Sequence, residues 1–488
     1  MIPQITRKTG YFIIKYEGDR FMSEKSLGKQ LKETLIMENK NIGETIDEKE
    51  LQKAFEFCDG YKTFLNAAKT EREAVDQIVK ILEQHGFQPF DKNQTYQAGD
   101  KVYLNNRGKA LIMATIGTQP IEQGVHLVAS HIDAPRLDLK PRPLFEESQL
   151  AFFKTHYYGG IKKYQWTAIP LSLHGVIVKK DGTKIEVNIG ESAEDPVFCV
   201  TDLLPHLAAD QMKRSLPEAV KGEELTILIG SLPFKDDDIS EKVKLNIMSL
   251  LNQKYGIVEG DFITAELEAV PAFPVQDIGF DRSLIGGYGQ DDRVCAYTSL
   301  MGALTCDKPS KTLVTIFADK EETGSDGNTG LHASYLKYFI ADLAKPYHVD
   351  GRTVLSHSQC LSADVNAAFD PKYPDVHEKN NAAYINYGVT LTKYTGSRGK
   401  GGTSDASAEF VAKVCNILDK HQVVWQIAEL GKVDQGGGGT VAQYIANLDV
   451  DVIDIGVPVL SMHAPYEVTS KLDVYMTYKA FEAFAKDE

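Results

Sequence analysis

VHLVASHIDAP, residues 125–135, decides the fold. Its first seven residues are nearly all apolar, as a central strand buried on both faces would be, and the run ends on a histidine rather than a turn residue. Past the strand end, His131 and Asp133 lie two residues apart, so extended backbone points both side chains to one side. Just upstream, KVYL (101–104) and KALIMATIG (109–117) are further β-rich runs. Before them, the spacings Thr45–Glu48 and Thr70–Glu73 match helix capping boxes and predict two helix starts. Val75, Ile78, Val79 and Leu82 then recur on one helical face until His85-Gly86, where the helix is expected to stop.

After Pro135 the texture changes. From about residue 137 to 279 the chain carries alternating stretches such as HGVIVKKDGTKIEVNIG (174–190), many turn residues, an expected helix near 202–215 and the run EELTILIGSLP (223–233). This reads as a separate β-rich unit. From Gly286 onward, helix-like and strand-like segments alternate again: DRVCAYTSLMGAL (292–304), TLVTIFAD (312–319), ASAEFVAKVCNIL (406–418) and VDVIDIGVPVLSMH (450–463). That alternation predicts an α/β layer fold. The expected organisation is one α/β domain formed by residues 1–136 and 280–488, interrupted by an inserted domain over 137–279.

A chain of 488 residues exceeds what a single core usually fills, in keeping with two domains. Its 53 Lys and Arg against 68 Asp and Glu give a net charge of -15, with no basic run long enough to track phosphates, which argues against nucleic-acid partners. The six cysteines form no CxxC pair and read as reduced core thiols. MIPQITRKTGYFIIKYEGDR (1–20) has only the short apolar run Tyr11–Ile14, too little for a secretory leader, and no stretch approaches membrane-spanning length. A cytoplasmic protein without a membrane partner is expected.

The chemistry is carried by apolar runs that end in ligand-capable groups. SHIDAP around His131, GQDDR around Asp291, ADKEETG around Glu321 and Glu322, SAD ending at Asp364 and SMHAP around His463 share this form. Each has a plain structural reading: a buried histidine, a carboxylate favouring a helix N-terminus, a strand-end cap. Five recurrences outweigh it, because open α/β sheets place their sites at the carboxyl ends of strands. Nitrogen and carboxylate donors suit zinc, with cobalt or manganese as alternatives. Asp133 is placed to accept the second ring N–H of His131. Of adjacent Glu321 and Glu322, one can bind metal while the other holds a proton. His126, His174, His332, His357, His377 and His421 lack a matching carboxylate set and read as structural or surface residues. The run Gly436–Gly439 lacks the Lys-Ser or Lys-Thr of a phosphate loop and reads as a turn.

Taken together, HIDAP, GYGQDDR, DKEETGS, LSADVNAAFDP with HEKNN, and LSMHAPYE resemble the aspartyl aminopeptidase and aminopeptidase I family of dinuclear zinc metallopeptidases, over nearly the whole chain and in the same order. The resemblance implies a three-layer peptidase domain with a central mixed β-sheet, interrupted by a dimerisation domain, with dimers building a tetrahedral dodecamer. It implies two divalent cations per subunit, one held by His131, Asp291 and Asp364 and the other by Asp291, Glu322 and His463, so that Asp291 bridges them. Glu321 matches the general base and Asp133 the residue that orients His131. The implied substrates are peptides with a free N-terminus.

Two positions depart from the acid-selective pattern. Asp210 stands where a histidine is expected in the segment LPHLAAD, and Thr392 where a lysine is expected. His206 and Lys393 lie next door as candidate substrate-binding residues. A neutral or broader specificity therefore stands beside an acidic one. Two rivals remain: a dinuclear deacylase or carboxypeptidase, and a non-catalytic assembly protein that keeps the fold. Intact Glu321 argues against the second, because a metal-only scaffold has no need of that acid.

Overall fold

The computed structural model describes residues 26–487, together with the backbone of the strands Ile5–Lys8 and Tyr11–Ile14. Most of the amino-terminal stretch read above for a leader lies outside the described residues. The chain divides into two units, Met1–Lys40 and Asn41–Glu488. In the first, the two strands pair antiparallel, and the helix Leu27–Leu35 starts where Ser26 accepts the N–H of Lys29.

The second unit is built on a nine-stranded mixed sheet. Its strands run in the order Trp425–Ile427, Val389–Thr392, Asp451–Gly456, Gln359–Ala363, His126–His131, Leu313–Ala318, Ala110–Thr115, Lys101–Asn106 and Gln88–Pro89. Residues 126–131 are fully buried and lie parallel to both neighbours, so VHLVASH is the central strand its composition predicts. The alternation of side chains sorts each strand between two cores. Val128, Phe317, Leu361 and Ile453 face helices that include Glu48–Ala67, Glu71–Gln84 and Lys471–Ala485. Leu127, Ala129, Ile316 and Val452 face the opposite layer, with Tyr335–Ala344 and Ala442–Ala446. Helices on both faces of a mixed sheet make the three-layer α/β architecture.

Between His131 and this domain's continuation, the strands Arg136–Glu147, Leu150–Tyr158, Leu171–Val178, Lys184–Ile189, Ile227–Gly230 and Ala265–Pro271 form a separate antiparallel sheet. It has its own core, centred on Phe153, Trp166, Leu173 and Phe262. Gln276–Ile278 does not join it. That strand pairs with Leu284–Gly287 in a small sheet completed by Glu467–Ser470, Pro458–Leu460 and Asn366–Ala367.

Local signals held where the named group is the nearest available cap. Thr70 accepts the N–H of Glu73, and Glu73 bonds back, completing the expected capping box. Thr45 does not start a helix; Asp47, closer to the helical face and with Glu50 three residues on, accepts the N–H of Glu50 and caps Glu48–Ala67. The helix expected near 202–215 is replaced by exposed turns, a short 3-10 turn at Gln211–Lys213 and one helical turn at Leu216–Ala219. The apolar residues Leu203, Leu204, Leu207 and Met212 there are exposed, so no core fixes a helical face. Among the described residues, no helix is long and apolar enough to cross a membrane.

Close packing at the strand ends gives a test. A Cβ on Gly456 would fall 1.9 Å from the Asp364 carbonyl oxygen and 3.1 Å from Cys295 Sγ. Gly456→Ala is therefore expected to cost about 1–3 kcal/mol or more by overpacking. Thermal unfolding should show a lowered Tm; an unchanged Tm would contradict this packing.

Candidate metal centre

Four parallel strands, 126–131, 313–318, 359–363 and 451–456, end on the same edge of the large sheet, in register His131 with Ala318 and Ala363 with Ile455. His131 closes the first and Asp364 follows the third. After the second, Asp319 and Lys320 reverse the chain, with Lys320 at φ 66°, into a short turn that presents Glu321 and Glu322. The fourth leads through Pro458–Leu460 to the turn that holds His463. Asp291 and Asp292 stand at the head of the helix Gln290–Ala303 in non-helical backbone. Gly289 is required just before them: its φ is 73°, and a Cβ there would lie 2.0 Å from Arg293 Nη1. Arg293 Nε in turn donates to the Ile132 carbonyl at 3.0 Å, fastening this helix to the end of the central strand.

These side chains converge. His131 Nε2 lies 3.1 Å from Asp291 Oδ1, 3.8 Å from Asp364 Oδ1 and 3.9 Å from Glu321 Oε2. His463 Nε2 lies 3.2 Å from Asp291 Oδ2 and 3.4 Å from Glu322 Oε2. The groups His131–Asp291–Asp364 and Asp291–Glu322–His463 each bring three donor atoms within 4.8 Å of one another. Asp291 belongs to both, with one oxygen toward each histidine.

The histidine tautomers follow from their other nitrogens. His131 Nδ1 is 3.0 Å from the Asp133 carbonyl and 3.4 Å from its carboxylate, and His463 Nδ1 is 2.8 Å from the Gly160 carbonyl. With each Nδ1–H donated, each Nε2 points its lone pair at carboxylates. Lone pairs facing carboxylates are stable only with a proton or a cation between them. The separations leave room for either, since two donors at ~2.0–2.1 Å from a tetrahedral zinc lie about 3.3 Å apart. Glu322 Oε1 is buried without a protein partner.

Protein groups alone leave the electrostatics strained. Burial, with Asp133 and Asp291 close by, pushes Glu321 up to about 7. Burial and neighbouring carboxylates hold Glu322 and Asp364 well above their ordinary range. Burial opposes charge on His131 and His463, yet the facing carboxylates outweigh it and raise both, His463 to about 10. For Asp291 the two histidines likewise outweigh burial and keep it low. These directions follow from burying carboxylates and histidines side by side, each holding protons for the others.

Supporting contacts come from Asp133, which the sequence singled out, and from Tyr158 and Glu467, which it did not. Asp133, besides orienting His131, accepts the N–H groups of Glu321 at 3.1 Å and Glu322 at 3.2 Å and the Tyr158 hydroxyl at 2.8 Å. Buried Glu467 accepts the N–H of Asp291 at 3.1 Å and of His463 at 2.8 Å, tying the two ends of the second triad together. Glu467 sits inside LSMHAPYE, where an acid closing the motif was its one visible signal. A cavity of about 480 Å³ opens beside the cluster, walled by Asn366, Thr392, Thr395, Gly437–Gly439 and Asp454 among others. The glycine run read as a turn thus borders the site. Neither His206 nor Lys393 lines the cavity: His206 is on an exposed turn, and the neighbour of Lys393, Thr392, lines it instead.

Known proteins match this frame. The family model of the aminopeptidase I zinc metalloproteases (M18) covers residues 64–485. A probable M18 family aminopeptidase 1 of Clostridium acetobutylicum is 51% identical over 458 residues, spanning 92% of this chain and 98% of the relative. The chain belongs to the M18 aminopeptidase I family of zinc metalloproteases. As a family member it is a hydrolase, a metalloaminopeptidase. The crystal structure of an M18 aminopeptidase from Thermotoga maritima superposes with a TM-score of 0.89 at 46% identity, over 93% of this chain and 100% of that one. The S. cerevisiae mApe1 dodecamer shares the M18 fold at a TM-score of 0.71 and 22% identity, over 88% of this chain and 95% of that one.

The raised groups give a pH test with a definite sign. Burial pushes Glu467 up to about 8, Glu321 to about 7 and Asp454 to about 6, against ~4 for unfolded carboxylates. Asp291 and Glu322 hold His463 up at about 10, against ~6.5 unfolded. All four bind protons more tightly when folded, so stability falls as pH rises. The carboxylates carry no penalty below ~4 and their full penalty above their folded values; the histidine's contribution is complete below ~6.5 and lost toward 10. Chelated protein is expected to lose Tm steadily from pH 5 to 8 in scanning calorimetry, and zinc to flatten the slope. A Tm that rises over that window would contradict the assignment.

Proposed function

We propose that the chain removes the N-terminal residue of peptides with two divalent cations, most simply zinc, sharing the Asp291 carboxylate. One observation carries this: the two oxygens of Asp291 face different histidines, each already completed by a further carboxylate. His131, Asp291 and Asp364 would hold one ion, and Asp291, Glu322 and His463 the other. Bound there, such ions lower the pKa of a water and polarise the scissile carbonyl. Cobalt or manganese would fit the same oxygen and nitrogen donors.

The chain's own groups supply the rest. Glu321, held near neutrality and positioned through its N–H on Asp133, takes the proton of the attacking water and delivers it to the leaving amine. Asp133 is a positioning residue: it fixes the His131 ring and the Glu321-Glu322 turn together. The substrate's α-amine is placed on the Asp364 side, where carboxylates are concentrated, and this restricts cleavage to the first residue. That residue's side chain enters the 480 Å³ cavity. No lysine or arginine of the described residues lines it, so neutral side chains are preferred to acidic ones.

Self-association is part of the proposal. Leu203, Leu207, Met212 and Leu216, each at least half exposed, stand close in sequence on the inserted unit. Exposed apolar clusters of this kind call for a partner surface, and a second copy of the chain, building dimers and then a tetrahedral dodecamer, is the proposed one. Its six cysteines are all unpaired, which suits the reducing cytoplasm as the working compartment.

Glu321→Gln should keep its metal content while turnover of aminoacyl amides falls about 10²–10⁴-fold. Loss of the metal with the activity, or unchanged activity, would contradict the role of Glu321. Across an aminoacyl amide panel, wild-type protein should favour neutral residues; strong selectivity for Asp or Glu would overturn the specificity reading. Light scattering should report an oligomer that Leu207→Lys shifts toward smaller species, and a wild-type monomer would contradict the assembly.

A further inference from the structure

An exopeptidase has to hold the residue it releases and also give the remaining chain a way out. A second cavity, of about 650 Å³, lies beyond His463 and shares Gly160, Met462 and His463 as a common wall with the first. It lies within the size range of ligand sites, about 300–1,000 Å³. Three separate segments, near residues 160–165, 367–377 and 459–464, supply its lining.

Its surface is made for a peptide. Tyr164, Tyr373 and Val376 line it while being 42%, 64% and 51% exposed, large apolar groups that find no cover within the chain. His377 is different. It lines the same cavity, is only 8% exposed, and its Nδ1 is buried without a hydrogen-bond partner. The ring is kept in place by Phe369, whose centroid lies 5.3 Å away, and by the backbone bond from its N–H to the Pro374 carbonyl. Burial lowers its pKa below the ordinary value, so it stands neutral at pH 7 with one ring donor and one ring acceptor. A peptide unit offers the matching N–H and C=O.

We propose that this second cavity is the leaving-side subsite, in which His377 hydrogen-bonds the backbone of the departing peptide while Tyr164, Tyr373 and Val376 cover its first side chains. The direction follows from the centre. The α-amine sits on the Asp364 side and the first side chain in the first cavity, so the chain beyond the scissile bond passes His463 into the second. Three residues of extended peptide span about 10 Å, which makes substrate length, as well as the first residue, a determinant of rate. This inference rests on the aminopeptidase reading above.

The experiment compares leucinamide with the tetrapeptide Leu-Ala-Ala-Phe, on wild-type protein, Tyr373→Ala, His377→Ala and His377→Gln. Wild type should cleave the tetrapeptide with a kcat/KM at least ten-fold above that for leucinamide. Tyr373→Ala and His377→Ala should lower the tetrapeptide value five-fold or more, mainly through KM, and leave leucinamide within two-fold. His377→Gln, which keeps a donor and an acceptor, should recover part of the loss. Equal rates on both substrates in wild type, or equal losses on both in the variants, would overturn the subsite. A calorimetric titration with Ala-Ala-Phe, run on chelated protein, decides the case without turnover: wild type should bind at least five-fold more tightly than His377→Ala, and equal binding would overturn it. Absence of hydrolysis from every substrate, with that difference in binding retained, would instead sink the aminopeptidase reading.

Discussion

Acceptors facing acceptors are the constraint on which the rest of this structure depends. His131 and His463 each donate one ring N–H to backbone oxygen and turn the other nitrogen toward Asp291, Asp364 and Glu322. Protein groups alone satisfy that geometry only by holding protons, because every atom pointing inward carries a lone pair once deprotonated. A few-ångström cluster of buried carboxylates is expensive unless positive charge sits among them. The fold holds them there regardless: the central strand, the helix head at Asp291 and the Glu321-Glu322 turn are joined by Arg293 to Ile132 and by Asp133 to the two glutamate N–H groups.

Much of this was legible in the chain because strand ends are legible. VHLVASH, TLVTIFAD and VDVIDIG are apolar enough to be central strands on composition alone; the ligand-capable residues close or closely follow the first two, and His463 comes one short strand after the third. The order of the strands was not legible. Nothing in the sequence says that 126–131 lies between 313–318 and 359–363, which is what brings His131, Glu321 and Asp364 within reach of one another. Glu467 was harder still, since it acts through backbone N–H groups of Asp291 and His463 and depends on a hairpin whose register only the fold defines. Thr45 and the stretch near 202–215 show the opposite failure. Local spacing suggested helix starts and a helix, but a better cap at Asp47 and the lack of any core beneath Leu203–Met212 prevailed.

The separate antiparallel sheet also reaches the metal centre. Its second strand ends at Tyr158, whose hydroxyl bonds Asp133, and two residues on, the Gly160 carbonyl fixes the ring of His463. One short stretch thus contacts the positioning residue Asp133 and the ligand His463, from a part of the chain whose exposed apolar turns are the proposed contact between copies. The same stretch supplies part of the wall between the two cavities. On the proposed reading, residue selection and chain exit would share that wall.

The central claim, that one carboxylate serves two cations, is tested most directly by counting zinc. After equilibrium dialysis against buffered zinc, wild-type protein is predicted to hold two ions per subunit, and Asp291→Ala, with both sets broken at once, fewer than one. A single ion in wild type, or two retained without Asp291, would contradict the account.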